Sequence, residues 1–408
     1  MRIAMLARAV FPLHGYGGVE RHVYHLTTHL ARLGVETELW VQPHGGEEAQ
    51  PLGPGIHLHA LRYDRTSPFL RPNGVIGRQI SYPLYSQAVG QDAAQWVRDG
   101  RVDLVHGQGL AAWGYGRLRQ ADPALRAAAP MIMNPHGMEE FKTPHRLKRL
   151  AYIPFRAMYA YGARAADRVI ATDACTRGEV PRYLGVDPAC VVVLPSAIAV
   201  EECLRPLDPA VQQMLRERFQ IDDSPLILLS VSRLERNKGF HVLAEALAGL
   251  HERLPSGWTW VLVGEGKERP ALEAQVQRLG ISAMTRFAGR LDDVELHNLY
   301  ETADLFIHPT LYEGSSLVVL EGMIHQRPVL ATRVGGIPDK VFDKRNGRLV
   351  VPGDVIALRA GLVDLLDCRP DWPFMGAEGA RIVRERFDWP VVAQATLEVY
   401  EEMLGRKT

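Results

Sequence analysis

IAMLARAVFPLHGYGGVERHVYHLTTHLARLGVETELWV, residues 3–41, decides the fold. Ile3 to Ala7 is a short apolar run of strand length, broken by Arg8. Gly15, Gly17 and Gly18 make a glycine-rich loop. Val19, Val23, Leu26, Leu30 and Leu33 then recur at three- and four-residue spacing, the period of an amphipathic helix. Gly34 closes that helix, and Val35 to Val41 reads as the next strand. Strand, loop, helix and strand make one βαβ unit, the repeating element of a parallel sheet.

Outward from this unit the pattern recurs. Asp103 to His106, Met131 to Asn134, Arg168 to Thr172 and Val191 to Leu194 read as buried strand ends, most of them separated by helical stretches. After Pro195 the texture changes, and Pro206, Pro209 and Pro225 place a linker at 196–210. The alternation then restarts with strands Leu226–Val231, Trp258–Val263, Arg286–Ala288, 304–307 and 328–332. Between them run helices through Leu243, Leu247 and Leu250 and at 268–279, 292–302 and 316–326. Helical segments at 354–367, 374–386 and 391–404 follow. Trp389-Pro390 is expected to kink them, because proline lacks the amide hydrogen a continuous helix uses. A chain of 408 residues accommodates two domains of ordinary size. The fold class is therefore α/β, with two doubly wound sheets whose strand carboxyl ends face a cleft, where such folds bind ligands.

Composition narrows the function. Lys+Arg and Asp+Glu are both 47, so there is no basic excess of the kind a general nucleic-acid binder carries, and no nucleic-acid partner is expected. Cys175, Cys190, Cys203 and Cys368 form no Cys-x-x-Cys pair and suit a reducing cytoplasm. No signal-peptide core follows Arg8, and no run of about 18 apolar residues is present. The expected location is cytoplasmic.

The richest chemistry lies in Pro309-Thr-Leu-Tyr-Glu313-Gly-Ser-Ser-Leu-Val-Val-Leu-Glu321-Gly-Met. Gly314, Ser315, Ser316 and Leu317 stand where a helix begins. Its first amides are unpaired and carry partial positive charge, a ready site for a pyrophosphate. Glu321, on the same helix, can accept two hydrogen bonds from vicinal hydroxyls of a ribose. Arg233 and Lys238, in Ser232-Arg-Leu-Glu-Arg-Asn-Lys-Gly239, follow the first strand of the second domain and can offset a departing diphosphate. Read singly, each of these charges is a solvated surface residue. The loop at Gly17 and Gly18 is either a phosphate-approaching turn or a plain tight turn. His136, in Asn134-Pro-His136-Gly137, is either a sugar or proton-transfer histidine or a structural one. Gly264 and the turn Arg290-Leu291-Asp-Asp293 either border a nucleotide base or simply connect elements. There is no Asp-x-Asp pair to bridge a metal, no Gly-x-Ser-x-Gly elbow and no phosphate loop of the Gly-Lys-Ser/Thr type.

Jointly these motifs resemble the retaining glycosyltransferases of family 4, which have the GT-B fold of two Rossmann-like domains. The resemblance runs from Gly17-Gly-Val-Glu-Arg-His to Phe387-Asp-Trp and Tyr400. Its most specific part is Glu313 and Glu321 with seven residues between them, followed by Arg327-Pro-Val-Leu-Ala-Thr and Gly335-Gly-Ile-Pro. It also includes Ala303-Asp-Leu-Phe-Ile-His-Pro. The resemblance implies an acceptor-side domain at 1–198, a nucleotide-sugar domain at 206–386 and a final segment, 387–408, packing back on the first domain. It implies that Arg233 and Lys238 hold the donor diphosphate and that Glu321 binds the ribose. Glu313 and the amides after it would touch the transferred sugar and phosphate, His136 the donor sugar, and Gly17 and Gly18 would lie beneath the diphosphate. It implies a metal-independent, cofactor-free transfer from a UDP- or GDP-sugar to a glycan, lipid-linked or small-molecule acceptor. Two positions depart from the family's usual pattern: Ser196-Ala-Ile-Ala199 replaces Asn-Gly-Val/Ile-Asp, and Ser315-Ser316 replaces Phe-Gly.

Two readings stay open beside this one. A nucleotide-sugar epimerase could use the same fold, and a catalytically silent sugar-nucleotide binder could keep the same charges. The basic stretch from Lys142 to Arg156 reads first as a solvated helix face. Its other reading is a contact with an anionic membrane carrying a lipid-linked acceptor.

Overall fold

A computed structural model describes residues 1–15, 17–43, 52–61, 75–142 and 146–406. They divide into two compact units: Met1–Ser196 together with Trp389–Thr408, and Ala197–Asp388.

In the first unit the described strands are β1 (Arg2–Leu6), β2 (Glu36–Val41), β3 (Ile56–Ala60), β4 (Leu104–Gln108), β5 (Met131–Asn134), β6 (Arg168–Ala171) and β7 (Val191–Val193). They form one parallel sheet in the order β3-β2-β1-β4-β5-β6-β7. In the second unit β8 (Ile227–Val231), β9 (Thr259–Val263), β10 (Thr285–Gly289), β11 (Leu305–His308), β12 (Val329–Thr332) and β13 (Gly347–Val350) form a parallel sheet in the order β10-β9-β8-β11-β12-β13. Both sheets reverse their winding beside the first strand of the unit, between β1 and β4 and between β8 and β11. At such switch points the loops after neighbouring strands diverge and leave a crevice.

The apolar runs are continuous because both faces of each sheet are covered. Along β8, Ile227, Leu229 and Val231 pack into one core with Val261, Leu299 and Leu320. Leu228 points to the other face, with Phe240, Leu243, Trp260 and Leu262. Ala4 and Leu6 of β1 join Val105, Met131, Met133 and Val169 in the core of the first unit.

Five stretches differ from the sequence reading. The 196–210 linker is instead ordered as helix Val200–Leu204 and the start of helix Pro209–Phe219. Val200 and Cys203 are buried in the second unit's core, so that unit begins at Ala197 rather than near 206. Pro209 marks a helix start, where proline's missing amide hydrogen costs nothing, and Asp208 caps that end by accepting from the Ala210 amide at 2.8 Å. Likewise Trp389-Pro390 is no kink within a helix. Helix Trp372–Arg386 ends before Phe387, and a separate helix, Trp389–Met403, begins with Pro390 in its first turn. That last helix packs against helix Gly18–Arg32, with the Trp389 indole stacked on His25 at 5.7 Å and on His29 at 6.2 Å between ring centroids. Finally, β3, β13 and the long helix Val75–Arg98 carry no clear apolar period. The β3 strand lies at the sheet edge and is buried only in part, and Pro83 interrupts the helix pattern.

Candidate active site

The switch point of the second unit joins two loops. One leaves β8 at Ser232, and the other leaves β11 at Pro309 and enters helix Leu317–Ile324. The Leu311 amide donates to the Asn237 carbonyl at 2.8 Å, and the Thr310 hydroxyl donates to the same oxygen at 3.2 Å. Between them Gly239 takes φ +72°, and a Cβ there would overlap the Pro309 carbonyl oxygen. Only glycine fits both demands. This close approach sets the Lys238 ammonium against Glu313, with Nζ donating to Oε2 at 2.9 Å. Lys238 is only 8% exposed.

Glu313 has a second buried partner. His308 Nε2 lies 3.0 Å from the same Oε2. Burial lowers the His308 pKa, so the ring is neutral, and its Nδ1 has no hydrogen-bond partner. The proton is therefore assigned to Nε2, which donates to the carboxylate. Burial alone would raise the Glu313 carboxyl. The His308 hydrogen bond, the charge that ring takes on in acid and the Lys238 ammonium outweigh it and hold the group down at about 2. Glu313 is thus a carboxylate at any physiological pH.

The two serines that depart from the family's usual pattern each find a buried partner. Ser316 Oγ is 3.2 Å from His308 Nε2. Ser315 Oγ accepts from Lys340 Nζ at 2.9 Å, and the same ammonium donates to the Ser316 carbonyl at 3.0 Å. Lys340 is 1% exposed, so a second cation lies beside the beginning of helix Leu317–Ile324. Ser316 is the N-cap residue, yet its side chain makes no cap bond, so the first-turn amides remain open to an external acceptor. Gly335, at φ +51°, closes the loop from behind, where a Cβ would overlap the Glu313 carbonyl, and the Gly336 amide donates to the Gly314 carbonyl at 2.9 Å.

Glu321 lies further along this helix. Its Oε2 accepts from the buried Tyr300 hydroxyl at 2.9 Å. Arg233 stands apart: its side chain is 74% exposed and pairs with Glu235 at 3.0 Å, with no bond to Glu313. Gly264, at φ +132°, is pressed against the Ser232 carbonyl, and its amide donates to Gly289 at 2.8 Å. It supports the β8 loop from the neighbouring strand. Arg290 is exposed, Leu291 is part of the hydrophobic core, and Asp293 lies exposed in the first turn of helix Asp293–Thr302.

In the first unit Gly17 precedes helix Gly18–Arg32 at its N-cap, with ordinary negative φ. A Cβ on Gly17 would overlap the Glu20 carboxylate, which therefore folds over the helix start. Gly18 faces open space. His136 follows β5 at φ +58°, a strained conformation for a residue with a side chain. The Asn134 side chain holds it there by accepting from the His136 amide at 2.9 Å. The His136 ring packs edge-on against His22 at 5.0 Å, and its Nε2 is buried without a partner. Burial, helped by His106, lowers its pKa to about 3, so this ring too is neutral.

The structure therefore joins Lys238, Glu313, Ser315 and Ser316 in one network and ties Glu321 to a neighbouring helix. Sequence reasoning missed His308, Lys340 and Tyr300. His308 had a usable signal, a polar side chain closing the apolar run Leu305–Ile307, whereas Lys340 had none, since it stands next to Asp339 in a mixed segment. Tyr300 had none, because it is one more large residue on the buried face of a helix.

A family model described as Glycosyltransferase Family 4 matches residues 16–202, and one described as Glycosyl transferases group 1 matches residues 211–378. A D-inositol 3-phosphate glycosyltransferase of Catenulispora acidiphila is 29% identical over 99% of this chain and 95% of its own. Among solved structures, sucrose-phosphate synthase from Thermosynechococcus elongatus superposes with a TM-score of 0.76 at 20% identity, covering 100% of both chains. Anabaena HepE in complex with UDP-glucose superposes with a TM-score of 0.69 at 19% identity, over 98% of this chain and 100% of that one.

Proposed function

Because the chain belongs to the family 4 glycosyltransferases and has their GT-B fold of two Rossmann-like domains, we propose that it moves a hexose-type sugar from a nucleotide diphosphate sugar to an acceptor hydroxyl, retaining the anomeric configuration and using no metal. The observation that carries this reading is the Lys238–Glu313 pair beside an uncapped helix start at a topological switch point. Helix amides and the Lys238 ammonium offer the diphosphate positive charge without a divalent ion. Arg233, exposed and paired with Glu235, adds a further cation beside Lys238 and Lys340. In this reading Glu313, held as an anion, accepts from sugar hydroxyls, and Glu321 from the ribose. The C1–oxygen bond to the diphosphate breaks, the acceptor oxygen bonds C1 on the same face, and its proton passes to the departing phosphate. His136 is neutral and presents a nitrogen to the sugar rather than a charge.

A UDP-sugar is the first donor to test, since UDP-glucose is the ligand of the HepE structure. GDP-sugars are the second. The C. acidiphila relative makes a phosphorylated polyol one acceptor class to examine, beside glycans and lipid-linked sugars. For a lipid-linked acceptor, Leu150 and Ile153 support contact with an anionic membrane: they are 63% and 54% exposed beside the exposed Arg149. The test is a nucleotide-release assay over UDP- and GDP-sugars with wild type and Lys238→Ala. Release of nucleoside diphosphate that the substitution abolishes supports transfer. A C2-epimerised free sugar would mark an epimerase, no turnover with intact binding would mark a silent binder, and activity unaffected by Lys238→Ala would remove the assigned role.

A further inference from the structure

Tyr300 is a fully buried residue on helix Asp293–Thr302 with no place in the reading above. That helix is fixed at its start by a capping box, Asp292 accepting from the Glu295 amide at 2.8 Å while the Glu295 side chain turns back to the Asp292 amide. The Tyr300 ring is stacked on His325 at 5.5 Å and nearly parallel, 5°, and is tilted against Phe306 at 5.5 Å. His325 is itself held, its Nε2 lying 3.0 Å from His297 Nδ1 and its Nδ1 lying 3.3 Å from Glu301 Oε2. The ring is therefore locked from several sides, and packing alone would be served by phenylalanine. What the hydroxyl adds is one proton, given to Glu321 Oε2 at 2.9 Å, with the Val318 carbonyl at a longer 3.3 Å. Burial, and then the Glu321 charge, raise the Tyr300 pKa well above its ordinary value, so the hydroxyl stays a donor throughout the pH range of any assay.

We propose that Tyr300 is the positioning residue for ribose recognition: it fixes the Glu321 carboxylate in the orientation that accepts the vicinal hydroxyls of the donor nucleotide. A glutamate side chain has three rotatable bonds, and locking them before the ligand arrives removes an ordering cost from binding. A hydroxyl that always donates also keeps Glu321 an acceptor, the role a diol requires. The proposal rests on Glu321 being the ribose ligand, and the experiment separates the two.

The affinities of UDP and GDP and of their 2′,3′-dideoxy counterparts are measured by calorimetry for wild type, Tyr300→Phe and Glu321→Ala. The expected result has four parts: wild type prefers the ribonucleotide; Glu321→Ala abolishes that preference; Tyr300→Phe cuts it roughly tenfold, the effect of losing one hydrogen bond to a charged acceptor; and dideoxynucleotide affinity is unchanged in Tyr300→Phe, which shows an intact fold. Turnover should follow as a raised donor KM with kcat little altered. If Glu321→Ala abolishes the preference and Tyr300→Phe retains all of it, the positioning role is overturned and the ribose assignment stands. If Glu321→Ala leaves the preference in place, or wild type shows none, the ribose assignment falls and the positioning role with it.

Discussion

Replacing Glu313 by glutamine removes one titrating group from the network while keeping its shape. In the folded chain His308 and Lys238 hold this carboxyl at about 2, against an ordinary value of 4.5. At 1.36 kcal/mol per pH unit, that difference corresponds to about 3 kcal/mol of stability. The group's folded value is depressed, so the contribution is complete above pH 4.5 and is lost as the pH falls from 4.5 toward 2, where the unfolded chain binds the extra proton first. Glutamine at 313 can still accept from Lys238 and His308, but it neither carries the charge nor titrates. The expected outcome is a Glu313→Gln protein less stable than wild type by about 3 kcal/mol at pH 7. The deficit should shrink steadily below pH 4.5. Urea unfolding of both proteins at a series of pH values from 7 to 3, compared at each pH, measures it, since other carboxylates cancel in the difference. A difference that stays flat from pH 7 to pH 3 would refute the idea that this carboxylate is held by its two donors.

Three other expectations follow from the same geometry. Gly239→Ala forces a side chain into a left-handed conformation, at about 1–2 kcal/mol, and into the Pro309 carbonyl. It should lower the thermal midpoint and raise the donor KM by parting the loops that carry Lys238 and Glu313. His136 has its pKa lowered from 6.5 to about 3, so it destabilises the fold as pH falls below 6.5, by about 2 kcal/mol at pH 5. His136→Gln should flatten that part of the stability profile, and the wild-type pH–rate curve should show no break near 6.5 that disappears in the variant. Liposome flotation with and without anionic lipid tests the membrane contact. Binding that needs the anionic lipid and weakens in Leu150→Ser/Ile153→Ser supports it, and absence of binding to both removes it.

The parallel sheets were legible because strands covered on both faces leave long apolar runs, as from Leu226 to Val231 and Trp258 to Val263. Lys238, Glu313 and Glu321 were legible as a motif, since their types and spacing survive in one dimension. What the spacing did not carry was pairing. Lys238 and Glu313 meet because Gly239 lets two loops touch, and Tyr300 reaches Glu321 from another helix. The prolines misled in both places where they were read as breaks. Pro209 and Pro390 open helices, and from the sequence a helix start looks the same as a linker or a kink. The edge strand β3 escaped because half-exposed edge positions keep little of the apolar signal.

The second unit is one unbroken stretch, Ala197–Asp388, whereas the first is assembled from both ends of the chain. In genetic terms the second unit is an insertion within its host. A gene fragment for 197–388 contains every strand of its own sheet and both loops that carry Lys238 and Glu313. A fragment ending at Ser196 lacks the helix Trp389–Met403 and leaves His25 and His29 without their indole cover. The first fragment is therefore the one suited to expression alone. The other calls for complementation, by a peptide beginning at Trp389 supplied in trans or by a circular permutation that splices that helix ahead of Met1.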